Sequence, residues 1–154
     1  MGKNKLKQNL KGFSLFEIII TLSIMMILSL IVFPVDVNKT RESKLESYAY
    51  QLVTDIYYQQ QRCTFKNIPG GVFFENNAYT LFDGDTLPTS TDTDLKKYPK
   101  NIHIISIVLT SPNQIFFLPG EFKPTSYGTL IVTDGTNSVR VYINREGLIG
   151  YEKL

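Results

Sequence analysis

The chain has one cysteine, Cys63, one histidine, His103, and no tryptophan. A single cysteine excludes an internal disulfide framework, any CxxC pair and a cysteine-cluster zinc site. A single histidine excludes multi-histidine metal sites and HExxH chemistry. Charge is sparse too: 19% of the 154 residues are charged and 43% are hydrophobic, so neither a disordered tail nor a coiled-coil rod fits. The net charge of +2 is too small to argue for nucleic acid or anionic lipid. No nucleophile–base pair, phosphate loop or basic stripe occurs. The expectation is therefore a non-enzyme without a cofactor, of a length that suits one ordinary domain.

What is present is concentrated at the N-terminus. Residues 1–12, MGKNKLKQNLKG, hold Lys3, Lys5, Lys7 and Lys11 and no acid. Taking these four lysines from the 16 basic residues leaves 12 against 14 acids, a balance of −2. A lysine-rich flank ahead of an apolar run stays in the cytoplasm and sends the C-terminal part outside. Met1-Gly2 is a poor myristoylation start, because Leu6 stands where Ser or Thr is needed. Phe13 to Phe33 then reads FSLFEIIITLSIMMILSLIVF. As a helix it is roughly 31 Å long at 1.5 Å per residue, which matches a hydrocarbon core of about 30 Å. Ser14, Thr21, Ser23 and Ser29 fit such a helix, since a hydroxyl can bond back to a carbonyl one turn earlier. The run is too long for a secretory h-region, and it ends in Val32-Phe33-Pro34-Val35-Asp36 with no A-x-A-like site.

Glu17 breaks the apolar run. A carboxylate at the centre of a spanning helix costs about 2.5–3.5 kcal/mol, less near the end, and such residues are functional candidates. By itself Glu17 is equally readable as a carboxylate that snorkels to water. Its surroundings shift the reading. Gly12-Phe13-Ser14-Leu15-Phe16-Glu17, after a short lysine-rich leader and before the apolar stretch, resembles the class III signal of type IV pilins and pseudopilins. The resemblance implies that a prepilin peptidase cuts between Gly12 and Phe13 and methylates the new amine, making N-methylphenylalanine. It also implies that Glu17 aids assembly. Ser14 and Phe16 depart from the commoner Thr and aliphatic residue; neither position carries the cleavage chemistry. Pro34 falls where many pilin helices kink, and its missing N–H and ring clash give the physical reason. A glycine before the cut lets a protease approach the backbone closely. The new ammonium needs a counter-charge, which Glu17 of another subunit can supply while fixing axial register.

Asp36 to about Thr64 predicts the amphipathic half of the same helix: Leu45, Tyr48, Leu52, Ile56 and Cys63 recur at helical spacings. Tyr48, Tyr50, Tyr57 and Tyr58 are read as filling the helix–sheet core or its rim. Asn67 to Gly71 ends the helix with Pro69 and two glycines. Strands are expected at Val72–Glu75 and Ala78–Phe82 about an Asn76-Asn77 turn, then at Ile102–Leu109 and Gln114–Leu118. Gly128–Val132 and Val139–Asn144 flank a turn at Asp134–Asn137, and a last short strand holds Leu148 and Ile149. Asp83 to Asp94 is expected to be a polar loop. The fold class is α+β, a long N-terminal helix packed on a C-terminal antiparallel sheet. Its segments are residues 1–12, leader; 13–35, membrane or filament-core helix; 36–65, amphipathic half; and 66–154, extracytoplasmic β domain.

In outline the β region is similar to minor pseudopilins of the GspH/FimT type, competence pseudopilins of the ComGD type among them. That likeness implies a minor subunit of a competence filament for DNA uptake. Type II secretion, a type IV pilus, and direct DNA binding by the exposed domain are the alternatives. The absence of a disulfide and the Asn- and Lys-rich composition favour a Gram-positive source and hence DNA uptake. The implied partners are prepilin peptidase, major and minor pseudopilins, the inner-membrane assembly platform, the membrane and, on the alternative reading, DNA. The implied location is a single-pass membrane protein with a cytoplasmic N-terminus, later an envelope filament. Asp83, Asp85, Asp92 and Asp94 offer oxygens to calcium, but without the alternation and distal Glu of an EF-hand they read as a solvated loop. His103 reads as a satisfied strand histidine, Cys63 as a small buried apolar group, and Asn38-Lys39-Thr40 as an accidental sequon. Lys96, Lys97 and Lys100 read as loop charge.

Overall fold

The computed structural model describes residues 13–154, except for the side chains of 31–38. Gly12 and the four leader lysines lie outside the described residues, and so does the side chain of Pro34, where a kink was expected. The architecture is the expected α+β arrangement of one long helix and antiparallel strands. Helix α1 runs from Leu15 to Lys66, and the chain divides into two units at Thr40/Arg41.

In the first unit, α1 is apolar on every side. Leu15, Phe16, Ile18, Leu22, Met25, Met26 and Leu30 are all exposed. Its hydroxyls bond back as the pattern predicts: Thr21 to the Ile18 carbonyl at 2.9 Å, Ser23 to Ile19 at 2.8 Å and Ser29 to Met25 at 2.8 Å. Those bonds hide polar hydrogens that an apolar medium would penalise. Among the described residues, no helix is long and apolar enough to cross a membrane. The apolar run ends at Ile31-Val32-Phe33, where side chains are not described.

In the second unit, the rest of α1 joins eight strands. β1 (Gly70–Glu75), β2 (Ala78–Asp83), β3 (Asp92–Lys97) and β5 (Gln114–Phe117) form a sheet of order β3-β2-β1-β5. β4 (His103–Leu109), β6 (Gly128–Thr133), β7 (Ser138–Ile143) and β8 (Ile149–Lys153) form a second, of order β4-β6-β7-β8. The strands thus form two sheets around one core. Leu45, Ala49, Leu52, Ile56 and Cys63 of α1 pack with Val72, Phe74 and Phe117 of the first sheet and with Leu130, Val132 and Val141 of the second. This is the helical stripe expected from the spacing, with Ala49 added.

Two buried amides hold the end of α1 in place. Gln59 Nε2 donates to the Phe82 carbonyl and to Asp83 Oδ1, both at 2.9 Å. Gln60 Nε2 donates to the carbonyls of Phe122 and Gly147, also at 2.9 Å each. These bonds tie the helix to β2 and to the loops at Phe122 and Gly147. Asn67, at φ 54°, ends the helix in the left-handed region that Asn tolerates.

Several expectations need correction. Asp83 to Asp94 is not all loop: a short 3-10 turn spans Leu87–Thr89, and β3 begins at Asp92. Its sequence DTDLKK has no apolar alternation because β3 is an edge strand, nearly all exposed, held by backbone pairing to β2. Lys96 and Lys97 are therefore strand residues, with Lys96 paired to Asp94 at 2.8 Å. Gly70 and Gly71 lie inside β1 rather than in a turn, because a Cβ at Gly71 would strike the Ile115 carbonyl. Of the tyrosines assigned to core or rim, Tyr48 packs against the core, edge-on to Tyr98 at 5.6 Å, and Tyr50 lies at the rim, edge-on to Tyr151 at 6.4 Å. Tyr50, Tyr57 and Tyr58 are more than half exposed.

Candidate processing and assembly segment

The segment around Phe13 is built by a helix start. Ser14 precedes the first helical residue, Leu15. Its carbonyl accepts the N–H of Glu17 at 3.0 Å and of Ile18 at 3.2 Å, and its Oγ accepts the Glu17 N–H at 3.3 Å. Ser14 is thus the N-cap, and Glu17 holds the third helical position, whose N–H the cap accepts. The Ser14–Glu17 spacing is the signal in the sequence for this role. The role accounts for the hydroxyl at position 14: Ser, like Thr, caps a helix. The cap places Phe13 one residue outside the helix, 78% exposed.

Glu17 lies in the first turn of α1, exposed, where a carboxylate is favoured by the partial positive charge of a helix N-terminus. A free ammonium on Phe13 would sit at the same end of the dipole and is disfavoured there. An acid from elsewhere is the natural complement.

The other candidate residues are occupied within the second unit. Arg62 Nη2 lies 2.5 Å from Asp83 Oδ2 and 2.6 Å from Asp92 Oδ2. The Asp92 contact, followed by that with Tyr58 and the Asp83 pair, raises the Arg62 pKa still further, so it is a permanent cation. The structure therefore brings Asp83 and Asp92 together around the Arg62 guanidinium, at an open cavity that Asp94 also lines. Among the described residues, no three His, Cys, Asp or Glu side chains are grouped to hold a metal ion. His103 Nδ1 lies 2.5 Å from Asn77 Oδ1, at the β1–β2 turn. Cys63 is buried, and burial, with Asp83 nearby, pushes its thiol pKa up to about 11. Asp55 accepts the Tyr79 hydroxyl at 2.6 Å.

Comparison with known families matches residues 7–33 to the prokaryotic N-terminal methylation motif. No curated protein and no solved structure gives a significant match. The chain therefore carries the class III signal of prokaryotic pilin-like proteins, a group of structural subunits, and the match spans Gly12, Phe13, the N-cap Ser14, Glu17 and the apolar stretch.

Proposed function

We propose that this chain is a minor pseudopilin, processed by a prepilin peptidase between Gly12 and Phe13, N-methylated on Phe13, and built into a type IV pilus-like filament. The observation that carries this is the match at residues 7–33, which sits on a helix capped at Ser14 and exposed on all its apolar sides. Such a helix is stable only where lipid or other helices cover it. Before assembly the apolar stretch anchors the chain in the membrane, lysines inside. Afterwards it joins the helices at the filament centre. Glu17 of one subunit neutralises the Phe13 amine of the next, removing two unpaired charges from an apolar medium and setting the axial step.

The system we assign is DNA uptake in competence. Its support is the outline of the β region and the lack of a disulfide. The other subunits and the assembly platform are partners on this reading; DNA is cargo of the filament rather than a ligand of this domain.

The test is the mass of the N-terminal peptide from the source cell, with and without its prepilin peptidase. A peptide starting at methylated Phe13 only when the peptidase is present is expected. An intact leader in both would overturn the reading. Deleting the chain should abolish transformation; unimpaired transformation would remove the competence assignment alone.

A further inference from the structure

A cationic groove lies at the start of the second unit. Arg41, Lys44 and Tyr48 of α1, with Pro99, Asn101 and Ile102 of the β3–β4 connection, line a cavity of about 520 Å³. Small-ligand clefts run from roughly 300 to 1,000 Å³. Arg41 and Lys44 are three residues apart on one helix, so they share a face, and like charges so placed repel each other. Both are exposed, and among the described residues neither has an ion pair. By contrast, Arg62, Lys96, Lys123, Arg140 and Lys153 each hold an acid. Glu42, which stands between the two cations in sequence, is bound by Lys153 at 3.2 Å. Asp134 also lines the groove, but its carboxylate is turned to its own hairpin. It accepts the N–H groups of Thr136 at 2.9 Å and Asn137 at 2.7 Å, and Asn137 Nδ2 at 3.3 Å.

The floor of the groove is apolar: Ile102 is buried and Tyr48 packs against the core. Two unpaired cations over an apolar floor fit an anion carried on an apolar body. The place in the chain says which one. Arg41 follows Phe33, the end of the apolar run, by eight residues. That is about 12 Å at the helical rise. The headgroup layer adds roughly 5–8 Å to each side of the hydrocarbon core. Helical side chains lean toward the N-terminus, so the long Arg41 and Lys44 side chains reach back toward that layer. A nucleic acid is held by a row of cations along its backbone, and this groove has two within one turn. The small net charge of the whole chain argues against a general attraction to anionic lipid; a two-cation groove is a local site and does not depend on it.

We propose that the Arg41–Lys44 groove seats the phosphodiester headgroup of an anionic phospholipid, in the leaflet where the C-terminal end of the apolar stretch emerges. Arg41 and Lys44 bind the phosphate oxygens, and Tyr48, Pro99 and Ile102 cover the glycerol carbons. A zwitterionic lipid is rejected because its own ammonium competes for the same oxygens. The proposal rests on the membrane-anchored state of the reading above. It makes departure from the membrane into a filament a step that releases a bound lipid.

The test uses the isotope-labelled full chain in micelles of a neutral maltoside detergent, with amide shifts read at Lys44 and Asn101. Dihexanoylphosphatidylglycerol is expected to move both to saturation, and dihexanoylphosphatidylcholine to leave them in place. Arg41→Gln and Lys44→Gln are each expected to weaken the phosphatidylglycerol response about fivefold. Lys66→Gln, an exposed cation at the far end of α1, is expected to change nothing. Equal response to the two lipids, Arg41→Gln and Lys44→Gln binding as wild type, or a DNA duplex moving the same amides at lower concentration than the lipid would each overturn the seat. Anchoring is read separately, by an alkaline carbonate wash of the full chain in phosphatidylcholine vesicles. A chain that resists the wash but ignores phosphatidylglycerol sinks the seat alone. A chain that washes off sinks the anchored state and the seat with it.

Discussion

The Ser14 hydroxyl accepts the backbone N–H of Glu17 at 3.3 Å, so the residue after Phe13 and the acid of the first turn share one helix cap. Removing the cap should loosen the start of α1 by about 1 kcal/mol. Ser14→Ala should speed amide exchange of Glu17 in detergent micelles by about fivefold. Ser14→Thr should leave it unchanged. Equal exchange in all three chains would show that the cap does not hold the first turn.

Gln60 joins α1 to two loops through the Phe122 and Gly147 carbonyls. Gln60→Leu keeps the volume roughly and strands both acceptors. We expect a loss of about 2–4 kcal/mol, read as a lowered urea midpoint. Gly147, at φ +86°, leaves the amide its space, since a Cβ there would stand 2.8 Å from Gln60 Nε2. Gly147→Ala should therefore also destabilise, and combined with Gln60→Leu it should cost less than the sum.

Arg62 compensates Asp83, whose side chain is only 8% exposed. Arg62→Met leaves that carboxylate buried without its cation and should destabilise by about 3 kcal/mol. Adding Asp83→Asn should recover much of the loss in the same urea titration. A double mutant no better than the single would mean that Arg62 acts through packing alone.

Cys63 should be inert in the folded chain. Burial pushes its thiol up to about 11, so little thiolate forms at pH 8. Labelling by a maleimide at pH 8 should be at least tenfold slower in the native chain than in urea. The folded pKa is raised, so the unfolded thiol ionises first, and stability should fall as pH rises from about 9 toward 11. A native labelling rate equal to the unfolded one would contradict the buried position.

Asp134 closes the β6–β7 turn. Burial draws its carboxyl upward, but hydrogen bonds from the backbone N–H groups of Asn137 and Thr136 outweigh that and hold it below the usual range. A depressed folded pKa gives stability that is present above the ordinary carboxylate pKa and lost as pH falls through the folded value. Asp134→Ala should cost on the order of 1 kcal/mol at pH 7 and much less at pH 2, measured by urea unfolding at both.

Regular elements were legible where local pattern and burial agree. The Leu45–Cys63 stripe, the Asn76-Asn77 hairpin and the Asp134–Asn137 turn all follow from spacing or turn chemistry and are found where expected. β3 was not legible, because an exposed edge strand needs no apolar alternation and is recruited by the free backbone groups of β2. Gln59 and Gln60 gave no signal either: two polar residues in an amphipathic helix are normally solvated. Their burial depends on carbonyls more than 20 residues away in sequence.

The sequence by itself determined the N-terminal signal, the apolar helix and its Ser14–Glu17 start. These are properties of consecutive residues, readable from spacing, charge order and length. Tertiary structure alone decided how deeply each tyrosine near the core stripe is covered. Tyr48 and Tyr50 are two residues apart and similar in hydrophobicity, yet only Tyr48 is half-buried, edge-on to Tyr98, while Tyr50 remains 60% exposed. It also decided the fate of the acidic residues: Asp83 and Asp92 converge on Arg62 only after β2 and β3 pair. In both cases the deciding partner is distant along the chain, and no local pattern encodes the distance that folding closes.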